Sequence, residues 1–545
     1  MENIVVVSPR TDVKSDLQRN HLIKISASRI EANVIAALSW GSPGQVPKSA
    51  QWSISPPSTQ TIVDRNVQAK IYLEVKTDNA MQIGLNTAVR QYPVASITDT
   101  IVTQINGESF TQNTSDWIHS LGAYNTGALE RNKSMSTTAA MPDSYQELSD
   151  WALYGSGKNP LASYGENSYE QTRGGIDYKI AEDGKSFRVE LTEPLFLSPF
   201  YSGHGEEQEG FVNINQLNIT IRWTTLIKKI LTQSTLGGSL GNIDVSFYQA
   251  PEILINYLSP DLTQMLPAVQ TLNYVQQQEY IRPMGVVQPG QSLTVLSDSV
   301  KLSMIPERMY LFCRHTRSTM TENTADSFLR INRVRVNFNN QSALLGTASP
   351  QQLYEMSSRA GLDMTYPQFQ NYRGSVFCAQ FAKDIGLLDS EAPGVAGQYT
   401  ISTQIDVTNV STLASDYEFF MVFSLSGMVS IFENGCRASL GNLTQNEVLA
   451  ARMNAPRLDY HAAAKLSGSG FFSDLKRFAN NVSRGVQGAS KFVGDVAGAI
   501  PLPIAAQIAQ GARTVNSVAG AVRSATGGAL RGGRGVGGAL SRRRM

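Results

Sequence analysis

Two stretches of the chain, with turns 233 residues apart, are written to one plan. Ile97–Gly122 (ITDTIVTQINGESFTQNTSDWIHSLG) reads as a strand, an Asn106-Gly107 turn, a short apolar return and a helical turn begun near Ser115 or Asp116. Ile331–Gly361 (INRVRVNFNNQSALLGTASPQQLYEMSSRAG) reads as a strand, an Asn339-Asn340 turn, an apolar return and a helical turn begun by Ser349-Pro350. Asn-Gly and Asn-Asn both tolerate the positive φ of a tight hairpin. Pro suits the first helical position because the N–H it lacks would be unpaired there anyway. The separation is about the size of one large β-sandwich, so the echo predicts two similar sandwiches in tandem. Two unrelated hairpins in an Asn-rich chain are the competing account.

The sequence around these stretches agrees with an all-β body. Val67, Ala69, Ile71, Leu73 and Val75 alternate with polar neighbours, the period of a half-buried strand. Similar alternation is read at Phe187–Leu191, Leu217–Trp223, Ile243–Phe247 and Val300–Met304, and again at Met309–Cys313, Val334–Phe338, Ile401–Val407 and Phe419–Leu425. Polar, Gly- and Pro-bearing connections separate these runs, as in antiparallel sandwiches and barrels. Charged residues make up 17% of the chain, against about 25% in an ordinary soluble protein. Ser, Thr, Asn and Gln fill the deficit, which suits strands and long polar loops. The expected division is an N-terminal arm (1–24), a first sandwich (25–258) with a long loop at 123–186, a connector (259–295), a second sandwich (296–460) and a tail (461–545). Trp151, Leu153, Tyr154 and Leu161 give the long loop something to bury, so it reads as a contact-making elaboration and not a linker.

Chemistry finds little support. Cys313, Cys378 and Cys436 are too few for a disulfide scaffold and lack metal-ligand spacing. His21, His119, His204, His315 and His461 are scattered, and the acids near His204 read as a solvated loop. Gly237 to Gly241 matches G-x-S-x-G without the strand-to-helix turn that a nucleophile elbow needs. Gly155-Ser156-Gly157-Lys158 resembles part of a P-loop, but Asn159 stands where Ser or Thr must bind magnesium. The sequons at Asn113, Asn132, Asn218, Asn340, Asn409, Asn442 and Asn481 reflect composition, since the N-terminus does not read as a signal peptide. No apolar run approaches the eighteen or so residues of a bilayer-spanning helix. The expectation is a protein made inside a cell, with no enzyme activity, cofactor or metal.

The tail is a different kind of sequence. Residues 461–545 carry a net charge of +10, which leaves −9 for residues 1–460. Such asymmetry points to an acidic partner, nucleic acid or membrane. Phe471, Leu475, Phe478, Val482, Val486, Ala489 and Val493, with Phe472 beside them, fall on one helical stripe. Lys476, Arg477, Arg484 and Lys491 take the other side, as in helices that lie on a membrane surface. Packing of that stripe against the body is the structural alternative. Pro501 and Pro503 break the helix. Arg531, Arg534, Arg542, Arg543 and Arg544 close the chain in Gly/Arg low complexity that can neutralise phosphates without reading sequence, or serve only as a solvated end.

Residues 302–312 (LSMIPERMYLF) and the strand, turn and QLYEMSSRAG helix of Asn337 to Gly361 resemble the double jelly-roll major capsid proteins of the adenovirus-like lineage, which includes polinton-like viruses, adintoviruses and virophages. The resemblance covers most of residues 25–450. It implies two tandem eight-stranded jelly rolls with short helices, three chains per pseudo-hexagonal capsomer, and capsomers tiling an icosahedral virion together with penton-type minor proteins. The segment LSGSGFFSDLKRFANNVSRG resembles the start of the adenoviral membrane-lytic internal protein, in which a protease site precedes an amphipathic helix. That likeness implies cleavage by a viral protease between Ser469 and Gly470, and between Gly533 and Arg534. Two other readings stay open at this stage: a single jelly-roll capsid protein with a projecting domain and a lytic C-terminal peptide, and a carbohydrate-binding or glycoside-cleaving β-sandwich.

Overall fold

A computed structural model of the chain describes residues 27–454 except 46–47, 59–60, 82, 84–86, 126–177, 197, 201–209, 225, 227–229, 234–237, 261–267, 325–327, 373, 412, 434 and 442. The N-terminal arm, most of the long loop and the whole tail lie outside the described residues. Residues Ile23–Gln445 belong to one compact unit, and the described part of the other is Asn446–Asn454, within the last helix.

The first half of the compact unit runs β1 (Ala27–Ala36), β2 (Ser49–Ile54), β3 (Ile62–Asp64), β4 (Gln68–Thr77), β5 (Thr87–Val89), α1 (Pro93–Ile97), β6 (Thr98–Ile105), β7 (Glu108–Gln112) and α2 (Thr114–Asn125). It continues with β8 (Tyr178–Ile180), β9 (Ser186–Pro194), β10 (Gly210–Phe211), β11 (Leu217–Trp223), β12 (Leu231–Gln233), β13 (Ile243–Phe247) and β14 (Glu252–Pro260). The second half runs β15 (Val269–Val287), β16 (Ser292–Leu296), β17 (Val300–Met304), β18 (Arg308–His315), β19 (Arg330–Phe338) and β20 (Gln341–Leu344). After α3 (Pro350–Arg359) come β21 (Val376–Gln380), β22 (Ala396–Thr408), β23 (Ser415–Phe432), β24 (Gly435–Leu440) and α4 (Gln445–Asn454).

The pairing is the same in both halves. One sheet of the first half contains the path β1-β14-β4-β9 and the other is β2-β11-β6-β7. In the second half the paths are β15-β23-β18-β21 and β16-β22-β19-β20, with β17 also on β22. Counting the main strands of each half from one to eight, both sandwiches read 1-8-3-6 over 2-7-4-5, all antiparallel. That is the jelly-roll order. A lone sandwich beside a projecting domain does not describe this chain.

The duplicated motif sits at equivalent places, strands four and five of each roll. Asn106 and Gly107 turn the first hairpin at φ 46° and 96°, and Asn339 turns the second at φ 50°. Each hairpin feeds a helix, α2 or α3. Ser349 caps α3 by accepting from the Gln352 N–H while the Gln352 side chain accepts from the Ser349 N–H, and Pro350 fills the first turn. The alternating apolar set of β4 is fully buried as expected, in one core with Trp52, Ile219, Ile221 and Phe247.

Three sequence expectations need correction. The connector expected at 259–295 contains the 19-residue strand β15, so the second roll begins at Val269 and not at 296. Its Gln276-Gln277-Gln278 run hid it, because among the described residues β15 pairs only with β23 and has no strand on its other edge. The long loop is shorter than 123–186, since α2 runs to Asn125 and strand returns at Tyr178 and Ser186. Finally, Met309–Cys313 and Phe419–Leu425 do not alternate: they are buried on both faces of their sheet. Continuous burial means that something covers the side of this sheet turned away from its own core.

Phe312 is fully buried, stacked on Phe420 at 4.9 Å and edge-on to Phe328 at 5.6 Å. Phe312→Ala is expected to cost about 3–5 kcal/mol in urea unfolding. A loss below about 1 kcal/mol would show that this face is not a packed core.

Candidate functional site

The outer face of the second roll's sheet is covered by the first roll together with Leu362, Met364 and Phe369 of the segment after α3. Tyr310 and Phe312 of β18, Phe420 and Val422 of β23, and Val376 and Cys378 of β21 share one buried cluster with Trp117, Ile118, Leu121 and Tyr124 of α2. Successive strand residues point to opposite faces, so the odd-numbered neighbours of β23 face inward instead: the Thr403 hydroxyl of β22 donates to Met421 Sδ at 3.1 Å. The Tyr124 hydroxyl donates to the Val376 carbonyl at 2.5 Å, and its burial holds the phenol well above the usual range.

Farther along, the same sheet reaches into the first roll's core. β15 and β23 pair over their whole length, a ribbon of roughly 60 Å. Leu272, Tyr274, Val429 and Ile431 at one end of it are buried among the first roll's core residues, with Cys436, Ala438 and Leu440 of β24 packed alongside. Gln270, fully buried, accepts from the Val212 N–H and donates to the Gly210 carbonyl, both at 2.8 Å. Tyr274 meets Phe110 edge-on at 5.8 Å.

Between these apolar contacts the seam is closed by arginines that donate to backbone carbonyls. Arg90, 2% exposed, reaches across to Thr324 O at 2.6 Å and Thr321 O at 2.8 Å. Arg314 of β18 reaches the opposite way, to Ser115 O and Asp116 O at 2.9 Å and to the Asp116 carboxylate at 3.0 Å, with its guanidinium 4.5 Å from the centre of the Phe420 ring. Arg317 donates to the Ser96 carbonyl. Around Arg314 lie two further carboxyls. Asn113 donates to Glu279 Oε1 at 3.1 Å, and burial together with the Asp116 charge pushes the Glu279 carboxyl up to about 7. Burial also raises Glu418, which stands opposite Arg314 in the β18–β23 pairing.

These residues carry no sequence motif. The signal that pointed at the seam is the continuous apolar run in β18 and β23. The carboxylates brought together here close on Arg314 and Asn113 inside the seam, unlike the solvated pair flanking a cleft that glycoside cleavage requires. Ser239 and Gly241 lie in a connection between β12 and β13, where the Ser239 hydroxyl accepts from the Gly241 N–H. His119 bonds Ser96 at 3.0 Å and His315 packs on Tyr417. Asn409, one of the sequons, is wholly buried and bonded to Val287 and Leu413 carbonyls, so no glycan fits there. Among the described residues no group of His, Cys, Asp and Glu is placed to hold a metal, and no helix is long and apolar enough to cross a membrane. The P-loop-like segment and His204 lie outside the described residues. So do Ser469, Gly470, Gly533 and Arg534, the apolar stripe from Phe471 to Val493, and the terminal arginines.

Removing the Arg314 guanidinium strands the Asp116 charge and leaves the Ser115 and Asp116 carbonyls without that donor. Arg314→Leu is expected to lower stability by about 3 kcal/mol in urea unfolding. A change under about 0.5 kcal/mol would mean that the arginine contributes nothing to joining the rolls.

Comparison with known proteins matches this architecture in both halves. Residues 2–183 match the family model described as the Sputnik virophage major capsid protein 1st domain, and residues 279–427 match the major capsid protein V20 C-terminal domain. The putative capsid protein V20 of Sputnik virophage is 28% identical over 503 residues, covering 83% of this chain and 84% of that protein. A chain of the Sputnik virophage cryo-EM structure superposes with a TM-score of 0.72 at 26% identity, over 86% of this chain and 99% of that one. The crystal structure of the mavirus major capsid protein shares the fold, with a TM-score of 0.62 at 16% identity, over 80% of this chain and 94% of that one. With both capsid domains present in the same order and the same double jelly-roll fold, the chain is a homologue of the Sputnik virophage major capsid protein.

Proposed function

We propose that this chain is the brick of a virus shell, a major capsid protein that associates as homotrimers and then as an icosahedral lattice. The observation that carries the reading is the repetition of one jelly-roll order on either side of a packed seam. A chain with two equivalent rolls held as one body offers two similar outward faces, and three such chains offer six. A ring of six similar rolls can sit where a hexagonal lattice needs six-fold contacts, with only three-fold symmetry in the chains themselves. The work is done by burial of surface between subunits. The homologues are structural proteins of virions, and the seam supplies rigidity, not a reaction centre.

The remaining assignments extend this reading. Neighbouring capsomers and penton-type minor proteins are the partners at the capsomer rim. The tail faces the shell interior, where its basic character suits the genome and its amphipathic stripe suits a lipid surface. Cleavage by a viral protease after Ser469 and after Gly533 frees the stripe from the body. The basis is the charge asymmetry between body and tail, together with the placement of one protease-like site before the stripe and one in the Gly/Arg end.

Sedimentation of the purified full-length chain is expected to give a species of three chains, and a monomer at all accessible concentrations would contradict the trimer. Truncation after residue 465 is expected to leave that species intact while abolishing dye leakage from anionic liposomes. Equal leakage without the tail would refute its membrane role.

A further inference from the structure

Around Arg314 the seam holds more carboxyl groups than that arginine can serve. Asp116, at the head of α2, occupies the Arg314 guanidinium at 3.0 Å, and the other Arg314 bonds go to the Ser115 and Asp116 carbonyls. Glu279 comes from β15, on the opposite side of the seam. Its Oε1 accepts from Asn113 at 3.1 Å. Its Oε2 is shut off from solvent and, written as a carboxylate oxygen, has no hydrogen-bond partner among the described residues. A carboxylate oxygen buried without a donor beside a second carboxylate is unfavourable on both counts. A carboxylic acid in the same place has an O–H to give, and the Asp116 carboxylate is within reach to accept it.

We infer that Glu279 keeps its proton in the closed seam and donates it in a hydrogen bond to Asp116, so that the contact between the two jelly rolls is a latch that weakens when this proton is lost. The groups acting on Glu279 are Asn113 and Asp116 of the first roll and Arg314 of β18. Glu418 of β23 lies by the same Arg314 and Asp116, with Arg317 also acting on it. Asn113 and Arg314 favour the ionised form of Glu279; burial and Asp116 oppose it and dominate, holding the group near 7.

The sign follows from linkage. An unfolded Glu titrates at about 4.3. Between that value and the folded one, the folded chain binds the extra proton, so stability falls as pH rises through the window. It is fully present below the unfolded value and lost above the folded one. Glu418 is shifted in the same direction and adds a slope of the same sign. The latch is a property of the chain's own seam and holds whether or not the chain builds a shell.

The test is urea unfolding of the full chain and of Glu279→Gln from about pH 5 to about pH 8, with infrared difference spectra of the carboxyl stretch. Gln keeps the shape and the donor of the protonated acid. The wild-type folding constant is expected to fall by roughly ten- to a hundredfold across the range, and the Gln variant to show a much flatter profile and to exceed the wild type at the alkaline end. The wild-type spectrum should carry a carboxylic-acid band that disappears near neutral pH and is missing from the variant. Equal slopes in the two proteins, or no such band in the wild type, would overturn the inference. Should the Gln variant fail to fold, Asn113→Ala removes a donor to the ionised form and must move the wild-type band's disappearance to higher pH; an unmoved band overturns it equally.

Discussion

The structure depends on one sheet with apolar side chains on both of its faces. In the second roll, β18, β21 and β23 present one face to their own core and the other to α2 of the first roll and to Leu362, Met364 and Phe369 after α3. A sheet with two apolar faces is not stable with water on either, so the second roll has to find the first. The β15–β23 ribbon extends the same requirement lengthwise, because its far end supplies Leu272, Tyr274, Val429 and Ile431 to the first roll's core. The boundary between the rolls therefore runs through shared hydrophobic clusters and not between two finished surfaces, unlike the looser, polar contacts usual between domains of one chain.

Polar chemistry then makes the contact specific. Arg90 and Arg314 donate across the seam in opposite directions, each to backbone carbonyls and Arg314 also to the Asp116 carboxylate, which fixes the segments they touch. The buried Arg314 guanidinium is tolerated because its two terminal nitrogens donate to the Ser115 and Asp116 carbonyls and to the Asp116 carboxylate. The surplus carboxyl, Glu279, is not satisfied by its described neighbours in ionised form, which is where solution conditions can act on the joint.

Much of the fold was legible in the sequence because jelly-roll strands with one buried face leave a period-two trace. β4, β11, β13 and β17 were read at or near their observed bounds, and the Asn turns of the two hairpins announced the duplication. Strand β15 was not, because Gln276 to Gln278 on an edge strand obey no burial pattern. The seam was half legible: the runs in β18 and β23 were found but read as alternating, although their continuity was the mark of a sheet covered on both sides. Glu279 and Arg314 had no mark at all. Arg314 meets Asp116 across 198 residues of chain, and nothing local distinguishes either residue from a solvated one. The tail reading, with its stripe and its protease-like sites, concerns residues beyond those the structure describes and rests on sequence alone.

The central claim is that two equivalent jelly rolls, locked at this seam, form a unit built for lattice assembly. Electron microscopy of the purified full-length protein tests it most directly. The account predicts image averages of capsomers with six similar lobes contributed by three chains, each chain holding its two lobes at one fixed spacing. Dispersed particles whose two lobes vary in separation would contradict both the rigid seam and the assembly it serves.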